Sequence, residues 1–586
     1  MSSKVTVEKL LAIRDDWLQA WPAALAVWSR YVQLREPQWC LTVEVEKQEQ
    51  LSGSFAMIRL VDHAIVISVR QVEAAGLAGF APEMLAHEIG HHVYCPADLT
   101  DNTRLLARIR RGLPTKEAMG PMVSNLYSDL LINDRLQRTA ELNIAGVYVQ
   151  LGGGSDGRLW NLYMRIYEML WRLPSETLAH GNCDARLNQD AQLGARLIRS
   201  YARDWLGGAG RFAALCLPYI IEDDERNLTK QTGRWYDTLC AGRGGFPDGL
   251  VEIDTEEADG AIHPAEDPEL TGIDDLCGER STARVPGELS GRKTPKNFRQ
   301  PFEYAELLKA TGVELDERDI TARYYRELAV PHLVPFPVRQ LPRATDPVPE
   351  GLELWDVDEP LEQIDWLGTL LQSSSIIPGV TTRQRLQGDS PGTDPATLPV
   401  DLYLGIDCSG SMGDPAHHLS YPVLAGAIIA LSALRVGASV KVVLSGEPGQ
   451  TISTAGFVRN SQIIMRTLAS YLGTGYSFGI HRLAETFKPA EPVKRPVHIL
   501  IVSDNDMFRM LDEKGNRRIG WDVASEALAL CGGGGTFVLQ LPGFVLSDQW
   551  GQPTNKYLAR MQDGGWHVNL VDSMEQLVAF ARDFAH

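Results

Sequence analysis

The sequence predicts an α/β protein of several domains: a mainly helical N-terminal domain, a helical middle region and a C-terminal doubly wound parallel sheet. Three observations predict it. Apolar residues at helical spacing dominate the first 250 residues. From residue 400 onward, short apolar runs of strand type alternate with helical ones. Between the two, the composition turns acidic and rich in proline. The expected boundaries are 1–150, a helical extension at 151–250, an acidic and Pro-rich linker region with a short helical segment at 251–399, and the parallel-sheet domain at 400–586.

Composition limits the function classes. The 586 residues carry a formal net charge of −19, which argues against nucleic acid or an anionic membrane surface as the main partner. Hydrophobic residues make up 44% and charged residues 22%, as in folded globular chains. No run of apolar residues is long enough to span a bilayer. The first residues lead into an amphipathic helix that contains Asp15 and Asp16, where a signal peptide would need an unbroken apolar core. Eight scattered cysteines with no C-x-x-C pair suit a reducing cytoplasm. The expected location is therefore cytoplasmic.

In the first domain, His87-Glu88-Ile89-Gly90-His91 spells H-E-x-x-H. Met84, Leu85, Ile89 and Val93 place it on a helix. Four residues separate His87 from His91, so both imidazoles face one way. Two such rings hold one Zn²⁺, with Glu88 beside it as base for a water. Just upstream, the apolar run His63 to Val69 reads either as an edge strand that takes substrate backbone by strand addition or as a plain core strand. A third ligand comes from a second helix, in which Asn125, Asp129 and Asn133 fall at steps of four between leucines. Asp129 is the expected ligand, and Asn125 and Asn133 orient the ligands around it. Asp134, one position round the helix, is the alternative. Cys95 stands alone after the first helix, so no four-Cys/His structural site is on offer.

The H-E-x-x-H helix followed by Asn125-x-x-x-Asp129-x-x-x-Asn133 resembles the metallopeptidase domain of bacterial proteins that end in a von Willebrand factor A-like domain. The resemblance covers roughly the first 150 residues and implies a zincin-like fold there. It departs from the commoner zincin pattern, because Asn125 stands where a glutamate ligand would be.

Residues 155–245 read as helical, with Trp160, Tyr163, Tyr167 and Trp171 as core. The acidic stretch from Glu252 to Glu279 reads as a mobile surface segment, since it has few large apolar residues. A helix resumes at 318–330. The proline-punctuated run from Pro331 to Pro349 leads to a second acidic linker through Asp365, and Ser373 to Pro399 reads as a loop or tether.

In the last domain, strands are expected at 400–406, 439–445, 497–503, 536–541 and 566–571. Helices are expected at 420–436, 460–472, 477–487, 521–531 and 574–585. Asp407-Cys408-Ser409-Gly410-Ser411 follows the first strand and gives a D-x-S-x-S of hard oxygen donors, suited to Mg²⁺. Further oxygens should come from other strand ends, and Thr474 and Asp504 are placed to supply them. Asp407, Ser409, Ser411, Thr474 and Asp504 together resemble the metal-ion-dependent adhesion site of von Willebrand A domains. Gly532 to Gly535 reads as a turn, and no P-loop occurs, so no ATP hydrolysis is expected of this chain.

The resemblance to this domain pair implies a zinc metallopeptidase with a Mg²⁺-dependent recognition domain, working beside a MoxR-type AAA+ ATPase. Two other readings stay open: a non-catalytic adaptor that recruits targets to such an ATPase, and a chelatase-like subunit.

Overall fold

Trp17, Trp21 and Trp28 are buried along the opening helix α1 (Val7–Trp28) and start the core of the first unit. The chain divides into two units, Met1–Ile320 and Thr321–His586. The computed structural model describes residues 7–586 except 30–31, 50, 52–53, 153–156, 182, 224–244, 272–296, 341–344, 392–396, 448–449, 476, 516–517, 542–550, 572–575, 577–579, 581–583 and 585–586.

A three-stranded sheet follows α1: β1 (Gln38–Cys40), β2 (Ala56–Arg59) and β3 (Ala64–Ser68), in the order β1-β3-β2. β3 pairs with β1 in parallel and with β2 in antiparallel fashion. The run 63–69 is thus not an edge strand. Both its sides are hydrogen-bonded, so it cannot take a further strand.

The longer helices that build the first core among the described residues are α2 (Ala81–Val93), α3 (Leu99–Arg111), α4 (Gly120–Thr139), α5 (Ile144–Gln150), α6 (Arg158–Trp171), α7 (Ala185–Ser200) and α8 (Trp205–Glu222). Pro82 and Pro121 sit in the first turns of α2 and α4, where a missing N–H costs nothing. Leu85 and Ile89 from α2 pack with Leu126 and Leu130 from α4. Burial of each contributes ~1.5–3 kcal/mol. α2 and α4 approach closely at Gly90. A Cβ there would lie 2.6 Å from both the Ile132 side chain and the Trp28 ring, so only glycine fits.

The acidic segment is not a mobile linker where it is described. Asp254 caps the short helix Thr255–Asp259 and pairs with Arg108 at 2.7 Å. Glu257 takes both arms of Arg299 at 2.8 Å, with both side chains buried. Asp267 is buried against Tyr201 Oη at 2.6 Å and Arg211 at 2.7 Å. These acids order the chain because each has a cation or donor from a distant segment.

In the second unit, six strands form one sheet: β4 (Asp401–Asp407), β5 (Val440–Glu447), β6 (Gln450–Ser453), β7 (Val497–Asp504), β8 (Gly532–Gln540) and β9 (His567–Leu570). The order is β6-β5-β4-β7-β8-β9, all parallel except β6. Helices α9 (Tyr421–Arg435), α10 (Ser461–Leu468) and α11 (Gly520–Cys531) lie between strands in sequence. Buried residues from both faces, such as Leu404 and Ile406 on one and Tyr403 and Ile501 on the other, explain why these strands read as continuous apolar runs. The expected helix at 477–487 breaks into a 3₁₀ turn at Ile480–Arg482 and a single turn at Leu483–Thr486. Gly532–Gly535, expected as a turn, forms the bulged start of β8, where the pairing with β7 shifts register. The helix expected at 574–585 falls largely outside the described residues.

The region from 345 to 391 is not a plain linker either. Thr345–Leu354 and Arg383–Pro391 pair as an antiparallel ribbon, and a helix at Trp366–Gln372 stands between them in sequence. Among the described residues, no helix is long and apolar enough to cross a membrane.

Candidate metal centres

α2 presents His87 and His91 one turn apart, and α4 presents Asp129 opposite them. Asp129 Oδ1 lies 3.7 Å from His87 Nε2 and 3.5 Å from His91 Nε2. One ligand atom from each of the three falls within 4.8 Å of the others. Tetrahedral ligands on bonds of roughly 2.0–2.1 Å stand about 3.4 Å apart, so the observed spacing is that of a site for a small divalent cation.

The hydrogen bonds around the rings fix which nitrogen points inward. His91 Nδ1 lies 3.1 Å from the carbonyl oxygen of Cys95, which accepts only. His91 Nδ1 therefore carries the proton, and Nε2 turns a lone pair toward Asp129. His87 Nδ1 lies 2.8 Å from Asn133 Oδ1. Asn133 Nδ2 donates to Tyr148 Oη at 3.1 Å and Tyr167 Oη at 2.9 Å, with its amide oxygen turned toward His87. With that oxygen as the acceptor, His87 Nδ1 carries the proton and Nε2 faces Asp129, as in His91. Asn125 Nδ2 donates to Asp129 Oδ2 at 3.1 Å and leaves Oδ1 facing the histidines. Three acceptors thus converge in a buried place, an arrangement that a cation stabilises.

Glu88 is buried beside this set. A cleft lined by Phe55, Met84, His87, Glu88, Ile144 and Tyr148 opens over it. Asp134 points elsewhere: it is paired with Arg138 on the same helix and lines a separate groove with Tyr94 and Arg203. Cys95 turns its thiol toward Ser128 at 3.6 Å and joins the site through its carbonyl alone. Burial pushes that thiol far above its ordinary range, so it stays protonated.

The structure adds residues that sequence reasoning assigned to the core alone. Tyr163 and Tyr167 are buried as expected, yet they also belong to a cluster with Tyr148. Tyr148 Oη lies 3.2 Å from each of the other two, and Tyr163 and Tyr167 hydroxyls are 2.9 Å apart. The cluster holds Asn133, and through it His87. The signal was the polar tip carried by each ring of the stripe, which a core position must satisfy.

The oxygen set of the second unit also comes together. β4 and β7 are neighbours at the point where strand order reverses, and Asp407 and Asp504 end them. Asp407 accepts from Ser409 N at 2.9 Å and from Ser503 Oγ at 2.6 Å. Ser409 and Ser411 hydroxyls are 3.0 Å apart, and Ser411 donates to Asp504 at 2.5 Å. Thr474 pairs by its backbone with this loop: its carbonyl accepts from Gly410 N at 2.8 Å. A side chain at Gly446 would strike Thr474 Oγ1, so glycine there is a requirement of the site. Ser503 is a further member that the sequence did not single out, although it precedes Asp504. Asp506 contributes its backbone N–H to Asp504 Oδ1 at 2.9 Å. Burial pushes the Asp407 carboxyl up to about 6; bonds from Ser503 and Ser409 oppose the rise, and Asp504 adds to it. Two carboxylates and three hydroxyls are hard donors of the kind Mg²⁺ takes, with water in its remaining positions.

No protein-family model, no curated protein and no solved structure matches the chain.

Proposed function

We propose that the protein is a cytoplasmic zinc metallopeptidase whose first unit is zincin-like and whose second unit carries a von Willebrand A-like recognition domain, acting with a MoxR-type AAA+ ATPase on a protein substrate. The observation that carries this reading is the convergence of His87, His91 and Asp129 beside buried Glu88 in an open cleft. A bound zinc ion would supply the Lewis acid that polarises a peptide carbonyl and acidifies water. The chain's own residues do the rest. Glu88 takes a proton from water as it attacks the carbonyl carbon and returns one to the leaving amine as the C–N bond breaks. Asn133 and the Cys95 carbonyl keep both imidazoles in the ligating tautomer. Phe55, Met84 and Ile144 give the cleft an apolar wall against which a substrate side chain packs. β2, an edge strand that follows Ser54 and Phe55 of the cleft, is placed to hold substrate backbone by strand addition, a role the central strand β3 cannot fill.

In the second unit, strand order and the oxygen set support the Mg²⁺ reading. Asp407, Ser409, Ser411, Thr474 and Asp504 offer only two carboxylates, and an acidic side chain of the partner would complete the ion's shell.

The test is Glu88→Gln. It is expected to keep about one zinc per chain while peptide hydrolysis falls by roughly 10²–10⁴. The buried Asp407 cluster favours a second reading, because docking needs no catalysis. If cellular function survives Glu88→Gln unchanged, the protein is a non-catalytic adaptor, or a chelatase-like subunit, for an AAA+ ATPase.

A further inference from the structure

The ribbon and helix between residues 345 and 391 carry an apolar surface turned outward. In the helix Trp366–Gln372 the usual pattern is inverted. Gly368 and Thr369 face inward and are buried, while Trp366, Leu367, Leu370 and Leu371 are exposed, Leu367 by 70% and Leu371 by 80%. Ile376 and Val380 in the following loop extend the same surface. A helix inside its own core would place these residues the other way round.

The inversion is held in place. Trp355 is buried, and its indole N–H donates to Pro360 O at 3.1 Å. Asp365 caps the helix through Gly368 N at 2.8 Å and binds Arg385 at 2.9 Å. Thr369 Oγ1 accepts from Arg383 N at 2.9 Å, and Thr382 Oγ1 accepts from Gly379 N at 2.8 Å. Trp355 and Ile364 fill the inside of the arm together with Thr369, Thr382 and Gln384, and the leucines of the helix are left where water meets them. Fixing side chains in a presented geometry lowers the entropy lost when a partner covers them.

Charge states what covers them. Residues 345–391 contain nine acidic residues against two basic ones, Arg383 and Arg385, and Arg385 is paired with Asp365 of the arm itself. Glu350, Glu353, Asp356, Asp358 and Glu362 are exposed. A second copy would bring the same acids against them, in a chain of net charge −19. An anionic bilayer is opposed by the same sign.

We propose that this arm is a docking surface for a partner protein whose receiving cleft is apolar and rimmed by Lys and Arg. Trp366, Leu367 and Leu371 are the anchors, and the acids around them set orientation and association rate. The contact is distinct from the Asp407 site and needs no Mg²⁺.

The experiment places a photo-crosslinking amino acid at Leu371 of the full chain, in cells of its source. Crosslinked peptides are identified by mass spectrometry, and the captured protein is purified for binding. The expected result is one protein, caught through a peptide with Lys or Arg flanking apolar residues. Its affinity should fall at least tenfold for Leu367→Ser/Leu371→Ser, and also for Asp356→Lys/Glu362→Lys. Binding should weaken with salt and be indifferent to EDTA. Thermal melting of each variant checks that it is folded. Crosslinks within the chain, to a second copy or to lipid, or no crosslink at all, would overturn the proposal. So would a captured protein whose binding both double variants leave unchanged.

Discussion

The histidine site of the first unit and the oxygen site of the second differ in what holds their donors in place. At the first, each ligand is fixed by a neighbour outside the set: Asn133 for His87, the Cys95 carbonyl for His91 and Asn125 for Asp129. The donors themselves sit at ligand spacing with lone pairs inward. At the second, the donors are bonded partly to one another, from Ser409 to Ser411 to Asp504. An ion entering there must trade these bonds for its own. The first arrangement suits a resident metal, and the second suits an ion that comes and goes with a partner.

The strongest break of this comparison is metal content. His87→Ala/His91→Ala should lose the first-unit zinc altogether, from about one per chain to about none by elemental analysis. Asp407→Ala should leave that zinc untouched and abolish Mg²⁺-dependent capture of the proposed ATPase partner. Equal zinc in wild type and the histidine variant would rule out the site.

A finer cut concerns the fixing groups. Asn133→Ala removes no ligand but frees the His87 ring to take either tautomer. Zinc affinity should fall by roughly 10–100-fold, measured by competition with a chromophoric chelator. Asn125→Ala, which touches only the far oxygen of Asp129, should cost less.

The second unit also carries a pH-dependent contribution to stability. Burial pushes His498, on β7, down to about 4; its bond to the Gly533 carbonyl works against the fall, and His567 adds to it. The unfolded chain takes up a proton near pH 6.5 while the folded one does not. The stability that neutral His498 contributes is therefore complete above pH 6.5 and is lost progressively as pH falls toward 4. The loss should reach about 3 kcal/mol. Asp407, raised to about 6, gains stability as pH falls over the same window and opposes this loss. Urea titrations from pH 7 to 4 should therefore show the His498 contribution as the difference between wild type and His498→Gln, the variant gaining stability relative to wild type as pH falls.

How much of this could be read from the chain follows from distance in sequence. The ligands were legible because His87 and His91 are one helical turn apart and Asp129 lies on a stripe of period four. The oxygen set was legible because Asp407 and Asp504 end apolar strands and Ser409 and Ser411 follow Asp407 at steps of two. The tyrosine cluster was not, since its hydroxyls meet Asn133 from two other helices, and a buried aromatic stripe looks the same with or without such a duty. Glu257 and Arg299 stand 42 residues apart, so composition registered only the acid. The arm misled for a different reason: its leucines alternate with acids and its inward residues are Gly and Thr, which together imitate a loop.

The contact at Gly90 ties the ligands to a helix that contributes none of them. Trp28 ends α1, and its ring lies against Gly90 while its indole N–H holds the Ala86 carbonyl at 2.7 Å. The histidine pair therefore rides on a backbone clamped from behind by the first helix, and Ile132 clamps it from the side that carries Asp129. The separation of the ligands is thus a property of tertiary assembly. An isolated peptide spanning 81–139 would hold both motifs and yet lack the fixed gauge between them. A chain shortened past Trp28 would bind metal more weakly with every ligand still present.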